Sequence, residues 1–182
     1  PVEPLQDAFP STMQAMMSVH VYSPLRLSQR LMAQLLANKG AIVNVGSATS
    51  TYPAPGLIPY QVAKAAMAAM TQSIALDVVK HGVRANCVSP GWIATDIVST
   101  SLGASKEEND QYFAALEGHT SSGRCGSAEE VGQTIAFLLS EASSYISGQN
   151  IVVNNGDSLA TLAYCNPATS LEWLAGDKPE TL

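Results

Sequence analysis

Apolar positions recur at helical spacing through the first forty residues of the chain. They include Met16, Leu27, Leu31 and Leu35. Spacings of 4 and 11 residues place such side chains on one face of a helix. Ser11 is a candidate N-cap, and Gly40 occupies the place of a C-terminal glycine cap. The pattern predicts one long helix over residues 11–38 that bends at Pro24.

Three short segments further along the chain predict buried strands. Residues 41–45 (AIVNV) form a nearly continuous apolar run, which is typical of a strand inside a parallel sheet. Residues 83–88 predict a second buried strand, and the sequence Ser-Pro-Gly that follows it forces the chain off the sheet. A turn at Gly148 leads into a third strand over residues 151–153.

Helices are predicted between these strands. Residues 60–80 contain no proline or glycine, are dense in alanine and methionine, and stop before Gly82. The sequence SAEE at 127–130 is a capping box that starts a helix running to about residue 140. The polar residues 99–126 predict a mobile loop region that contains one short helix. The tail after Asp157 has no clear periodicity.

The alternation of helices and strands predicts an α/β fold with a parallel sheet and crossover helices. Such sheets bind ligands at the carboxyl ends of their strands. Ser47 and Pro90 each follow a predicted strand at that edge. We therefore expect one domain over residues 1–156, followed by a tail over residues 157–182.

Charge and composition exclude several classes of function. The formal net charge is −6, and the lysines and arginines are scattered singly, so no basic stripe for nucleic acid exists. The longest apolar stretches fall short of the roughly 20 residues of a membrane span, so we expect no membrane contact. Cys87, Cys125 and Cys165 form neither an even disulfide set nor a CxxC pair. This argues against a metal site and favours a reducing compartment, the cytoplasm.

Tyr60 and Lys64 are the first candidates for chemistry. They are four residues apart on a predicted helix, so their side chains share a face. A phenol is a poor base at neutral pH, but a nearby ammonium favours the phenolate, which could then exchange a proton with an alcohol or carbonyl oxygen. The alternative is a solvated surface pair, because this spacing also arises by chance.

Ser47 stands thirteen residues before Tyr60, at the end of the preceding strand. There a hydroxyl could hold the substrate oxygen beside the phenol. Without the tyrosine, a loop serine that caps the backbone would be the better interpretation.

Three blocks of sequence together resemble the short-chain dehydrogenase/reductase family. They are IVNVGS at 42–47, YQVAK at 60–64 and VRANCVSPG at 83–91, and their order and spacing agree with the family. The segment WIAT at 92–95 is similar to the end of the family's PGxxxT motif. The resemblance covers residues 1–156 and implies a Rossmann-like, doubly wound parallel sheet. Only its second half is expected here, with the first four strands absent.

The resemblance also implies a function and roles for individual residues. It implies an NAD- or NADP-dependent oxidoreductase that interconverts an alcohol and a ketone or aldehyde, a small-molecule substrate. Tyr60 would be the general acid/base, Lys64 would bind the nicotinamide ribose and favour the phenolate, and Ser47 would orient the substrate. The cofactor would be held by the same tyrosine and lysine and by Pro90, Gly91, Ile93 and Thr95.

The chain departs from the family pattern at two points. Counting the family's spacing places His20 where an asparagine usually supports a water relay to the lysine. His20 is therefore a candidate catalytic residue, with a packed, hydrogen-bonded histidine as the alternative. The glycine-rich GxxxGxG turn of a dinucleotide-binding half is absent from the sequence. We expect the whole enzyme to be about 90 residues longer.

Two further expectations concern partners. The helix over residues 60–80 is apolar around nearly its whole circumference, which favours a homo-oligomer, a tetramer or dimer, built through this helix and the one over residues 11–38. The alternative is that its alanines reflect helix propensity alone. A non-catalytic partner or scaffold is the competing function, suggested by His20 and by the absent cofactor half.

Overall fold

The computed structural model describes residues 10–159. The described chain divides into two compact units, one of residues 10–91 and 129–153 and the other of residues 92–128 and 154–159. The tail after residue 159, with Cys165, and the first nine residues lie outside the described residues. The boundary expected at residue 156 stays a prediction.

The first unit contains a three-stranded parallel sheet. Its strands are β1 (Ala41–Val45), β2 (Arg84–Pro90) and β3 (Asn150–Val153), in the order β1-β2-β3. Ala41 lies opposite Arg84, and Cys87 lies opposite Asn150. β2 lies between the other two strands and is the most deeply buried of the three. The predicted α/β class with a parallel sheet is confirmed, and β2 extends two residues beyond its predicted end.

The first long helix begins one residue before its predicted start and ends at Asn38, as predicted. It comprises α1 (Pro10–Met17), a π-helical turn (Ser18–Tyr22) and α2 (Ser23–Asn38). The helix already includes Pro10, so the prediction of Ser11 as the N-cap is wrong. The irregularity lies just before Pro24, because proline has no amide hydrogen to donate to the turn before it.

The C-terminal cap of α2 was also assigned to the wrong residue. Lys39, and not Gly40, takes the left-handed conformation, with φ of 49°. Gly40 instead donates its amide hydrogen to the carbonyl of Leu35 at 2.9 Å. A Cβ at Gly40 would lie 2.9 Å from Leu35 Cδ2, so a larger residue there would have to displace the end of that side chain.

The helix α3 (Ile58–Val78) is longer at its start than predicted. Pro59 lies in its first turn, where proline is well tolerated because the missing amide hydrogen has no helical partner. The helix ends in a 3₁₀ turn (Val79–His81), and Gly82 then takes a left-handed conformation with φ of 82°, as its predicted capping role requires.

A small apolar core joins α2 and α3 to the sheet. Its buried members are Ile74, Ala75, Val78, Val83 and Ala85, and Leu25, Met32, Leu35, Ile42 and Met70 pack against them. This core fixes α3 against β2, so it determines where the start of α3 lies relative to the strand ends.

The helix α6 (Ala128–Leu139) begins directly after Ser127, as predicted. A 3₁₀ turn (Glu141–Ser143) follows it. The guanidinium group of Arg84 on β2 donates hydrogen bonds to the carbonyls of Leu138 at 2.7 Å and Ser140 at 3.0 Å. Ser143 Oγ donates to the same two carbonyls, so Arg84 and Ser143 together hold the C-terminal end of α6.

The second unit holds two helices where one was predicted. They are α4 (Ile97–Leu102) and α5 (Lys106–Glu117). Ser105 and Glu108 form a reciprocal capping box at the start of α5. The sequence SKEE at 105–108 carries this signal, so the second helix could have been predicted from it.

One helix among the described residues, Ile58–His81, is long and apolar enough to cross a membrane by length and composition alone. An 18-residue window within it has a mean hydropathy of 1.3. The same test is passed by core helices of soluble proteins. This helix packs against β2 and contains the buried Lys64.

Candidate active site

Ser47 lies at the carboxyl end of β1, as predicted. Gly46 continues the pairing of β1 with β2 by donating its amide hydrogen to the carbonyl of Val88 at 2.7 Å. A Cβ at Gly46 would lie 2.6 Å from Ser89 Oγ and 2.8 Å from Cys87 Sγ. Glycine at this position therefore lets the end of β1 approach β2 closely, and this approach sets the position of Ser47.

The Ser47 side chain is buried and faces Thr49. Ser47 Oγ accepts a hydrogen bond from the Thr49 amide at 3.3 Å, and its distance to Thr49 Oγ1 is 2.9 Å. Ser47 thus caps the 3₁₀ turn Ala48–Ser50, which contacts α3. The capping interpretation of this serine is correct, and it does not exclude a role in chemistry, because a hydroxyl can donate and accept at once.

Tyr60 and Lys64 meet at the start of α3. The Lys64 ammonium lies 5.6 Å from the centroid of the Tyr60 ring. It is buried and donates a hydrogen bond to the carbonyl of Val45 at 2.8 Å. Lys64 is therefore no solvated surface residue: it joins α3 to the last residue of β1, two residues before Ser47.

Electrostatics at Lys64 follow from its burial. Burial lowers the pKa of Lys64 below its ordinary value, and the neighbouring thiol of Cys87 partly opposes this shift. Burial also raises the pKa of Cys87, so the thiol is held in its neutral form. The ammonium is thus a charge in a weakly solvated place, where its effect on a nearby phenol is less screened than in water.

His20 contacts Tyr60 from the π-helical turn. The two rings are edge to face, with centroids 5.6 Å apart and an angle of 87° between planes. Burial lowers the pKa of His20 below its ordinary value, and the charge of Lys64 lowers it further. The histidine is neutral at physiological pH, and it is one of three candidate residues brought together at this point.

A buried hydrogen bond that sequence reasoning missed supports this arrangement. Asn44 Nδ2 on β1 donates to Thr71 Oγ1 on α3 at 2.8 Å, and Thr71 Oγ1 donates to the carbonyl of Met67 at 2.8 Å. Both polar side chains are buried. The bond holds β1 and α3 in register, but no local pattern links two residues 27 positions apart.

Pro90 and Gly91 lie at the carboxyl end of β2, as predicted. Pro90 pairs with Val153 of β3, and the Gly91 amide donates to the Val153 carbonyl at 3.0 Å. Ser89 Oγ donates to Asn150 Oδ1 at 2.6 Å, which ties β2 to β3 by side chains as well.

Ile93 and Thr95 belong to the second unit. Ile93 forms a parallel bridge with Gly126. Asn109 Nδ2 on α5 donates to the Thr95 carbonyl at 3.0 Å, and the Thr95 side chain is exposed. The backbone of this segment is thus held while the hydroxyl stays accessible.

Comparison with known proteins defines the family. The parallel α/β sheet matches the Rossmann-like fold of solved short-chain dehydrogenases, one of which, from Caenorhabditis elegans, superposes with a TM-score of 0.81 and 27% identity. A family model described as enoyl-(acyl carrier protein) reductase matches residues 2–158. The chain is 37% identical to the short-chain dehydrogenase fogB of Aspergillus ruber over 126 residues, which are 69% of this chain and 44% of that protein.

Two further comparisons also find similarity to reductases and dehydrogenases. The chain is 34% identical to the 3-oxoacyl-[acyl-carrier-protein] reductase FabG of Vibrio cholerae over 141 residues, 77% of this chain and 55% of that protein. A gluconate 5-dehydrogenase from Burkholderia cenocepacia, in complex with NADP and tartrate, superposes with a TM-score of 0.77 and 25% identity over 88% of this chain and 62% of that one.

The chain belongs to the short-chain dehydrogenase/reductase family, as its sequence blocks implied. It spans about half the length of the curated relatives it matches.

Proposed function

We propose that this chain carries the catalytic part of an NAD- or NADP-dependent oxidoreductase that interconverts an alcohol and a ketone or aldehyde. The observation that carries the proposal is the buried Lys64 ammonium, held by the Val45 carbonyl and 5.6 Å from the Tyr60 ring centroid. Burying a charge costs free energy, and ionisable groups whose pKa is shifted by burial cluster at functional sites. This favours an enzyme over a non-catalytic partner.

The roles follow from the chemistry of each group. Tyr60 transfers a proton to the carbonyl oxygen in reduction and takes one from the alcohol in oxidation. The Lys64 ammonium stabilises the phenolate that remains after the proton is given up. The Ser47 hydroxyl donates a hydrogen bond to the substrate oxygen as negative charge develops there.

The hydrogen-bond donors at the start of α3 fit a nicotinamide nucleotide. An ammonium carries three N–H donors, and Lys64 makes one hydrogen bond to the described residues, so two remain for ribose hydroxyls. Tyr60, Pro90, Gly91, Ile93 and Thr95 are the further proposed cofactor-binding residues. The cofactor, when bound, supplies or accepts the hydride.

The activities for which two similar proteins are named are consistent with this reaction. One relative is a reductase of an oxoacyl group, and one structural neighbour is a dehydrogenase in complex with NADP. For this chain the reduction of a carbonyl group, the choice of cofactor and the substrate remain part of the proposal.

His20 is proposed as a residue that packs against Tyr60 and orients its ring. The edge-to-face contact supports this role. A neutral imidazole can also donate and accept a hydrogen bond, so it can join a proton relay to Lys64.

A homo-oligomer is proposed through the two long helices. Large apolar side chains stay exposed on both: Val19, Tyr22, Leu27, Leu31 and Leu36 on the first, and Val62, Leu76 and Val79 on the second. Small Ala65 and Ala69 are exposed on α3 as well. Exposed apolar surfaces of this kind often mark contacts with another protein chain.

The cytoplasm is the proposed compartment. Cys87 and Cys125, the cysteines among the described residues, are both free thiols. Free thiols suit a reducing environment.

A fluorescence titration of the full-length protein with NADH and NADPH tests the function. We expect saturable enhancement of nicotinamide fluorescence with one or both, and a rise in Tm at saturation. A non-catalytic partner would show neither effect. The absence of both would overturn the proposal.

A further inference from the structure

The hydroxyl of Ser47 makes both of its described hydrogen bonds to one residue. The Thr49 amide donates to Ser47 Oγ at 3.3 Å, and Thr49 Oγ1 lies 2.9 Å from the same atom. Ser47 is buried at the carboxyl end of β1, so its environment determines where its proton points.

We propose that Thr49 is a positioning residue whose hydroxyl donates to Ser47 and so directs the Ser47 proton toward the substrate oxygen. A serine hydroxyl has one donor and two acceptor lone pairs. With the amide and the hydroxyl of Thr49 occupying both lone pairs, the Ser47 O–H group is left as a donor. The inference rests on the proposed function, because it needs a substrate oxygen beside Ser47.

This arrangement matters for the reaction because the hydroxyl at Ser47 could otherwise turn its proton toward Thr49 Oγ1. A serine that donates to its neighbour would present a lone pair to the oxygen that gains negative charge. Donors aimed in advance at such an oxygen contribute much of the stabilisation of a transition state.

The turn itself does not depend on the threonine hydroxyl. Backbone bonds from the Ser50 amide to the Ser47 carbonyl at 2.9 Å and from the Thr51 amide to the Ala48 carbonyl at 3.1 Å close it. The Thr49 amide remains in any substitution at this position. Thr49→Val therefore removes one hydroxyl and keeps the size and branching of the side chain.

The test is steady-state kinetics on the full-length enzyme, with an aldehyde or ketone that the wild type reduces. We expect Thr49→Val to lower kcat about tenfold, with cofactor Kd unchanged. Thr49→Ser keeps the hydroxyl and is expected to stay within about twofold of wild type. Thr51→Val, at the next threonine, which is exposed, is the matched control and should also stay near wild type.

A double-mutant cycle separates positioning from general damage. In a Ser47→Ala background, Thr49→Val should change kcat less than twofold, because the hydroxyl it directs is gone. A wild-type rate for Thr49→Val, or an undiminished effect in the Ser47→Ala background, would overturn the role of Thr49 alone. Ser47→Ala with wild-type kcat would instead overturn the role of Ser47 in the proposed function, and the inference with it.

Discussion

Lys64 contacts both the sheet, at the Val45 carbonyl, and the proposed general acid/base, Tyr60. The sequence shows that Lys64 follows Tyr60 by four residues, and this spacing predicts that the two side chains lie on one face of a helix. The hydrogen bond of Lys64 to Val45 could not be predicted, because it depends on how α3 packs on the sheet. Burial that lowers the pKa of Lys64 also makes its charge more effective on nearby groups.

The first prediction concerns this ammonium. Lys64→Met should weaken nicotinamide binding at least about tenfold and abolish most turnover, because both ribose donors and the charge beside Tyr60 are lost. Fluorescence titration measures the binding. Lys80→Met, at an exposed lysine at the end of the same helix, is the matched control and should bind normally. Unchanged affinity in Lys64→Met would remove the ribose contact from the mechanism.

The second prediction concerns His20. His20→Asn should stay active, because an asparagine amide can donate and accept hydrogen bonds as a neutral imidazole does. A hundredfold loss of kcat without unfolding would contradict this prediction and would show that His20 takes part in the reaction.

The same variant has a pH signature. Since the pKa of His20 is lowered in the folded protein, the unfolded chain binds more protons as pH falls through the ordinary value of 6.5. Wild-type stability should therefore fall on acidification through this range, and less so in His20→Asn. Denaturant unfolding at pH 5 and 8 measures the difference.

The strands and helices that local patterns specify could be predicted, whereas their tertiary details could not. The run at 41–45 and the alanine-rich helix that follows it were found at nearly their true bounds. Lys39 takes the left-handed conformation although a glycine follows it, and the sequence pattern did not reveal this. The bond between Asn44 and Thr71 and the pairing of Ser47 with Thr49 likewise depend on the folded chain.

The third prediction concerns the end of β1. Gly46→Ala should destabilise the protein by about 1–3 kcal/mol, because its Cβ would overlap Ser89 and Cys87, whose side chains are fixed in β2. Thermal or denaturant unfolding measures this. Gly132→Ala is the matched control: glycine there is exposed in α6 with open space around it, so alanine should be neutral or stabilising. Equal stability of both variants would contradict the packing argument.

The fourth prediction concerns assembly of the whole molecule. Light scattering at micromolar concentration should give the mass of a tetramer, or of a dimer if only one interface forms. Leu76→Glu should lower this mass, because Leu76 is 77% exposed on α3. Leu159→Glu, at a leucine that is 76% exposed outside both helices, should leave it unchanged. A monomer mass for the wild type would refute the prediction.

Turnover of Tyr60→Phe in the full-length enzyme tests the central claim most directly. The substitution keeps the ring and its contact with His20 but removes the transferable proton, so kcat should fall to background, whereas cofactor Kd should change much less than in Lys64→Met. Tyr52→Phe, at an exposed tyrosine in the loop before α3, is the matched control and should remain active. Retention of more than about a tenth of wild-type kcat by Tyr60→Phe would contradict the role of Tyr60 as general acid/base.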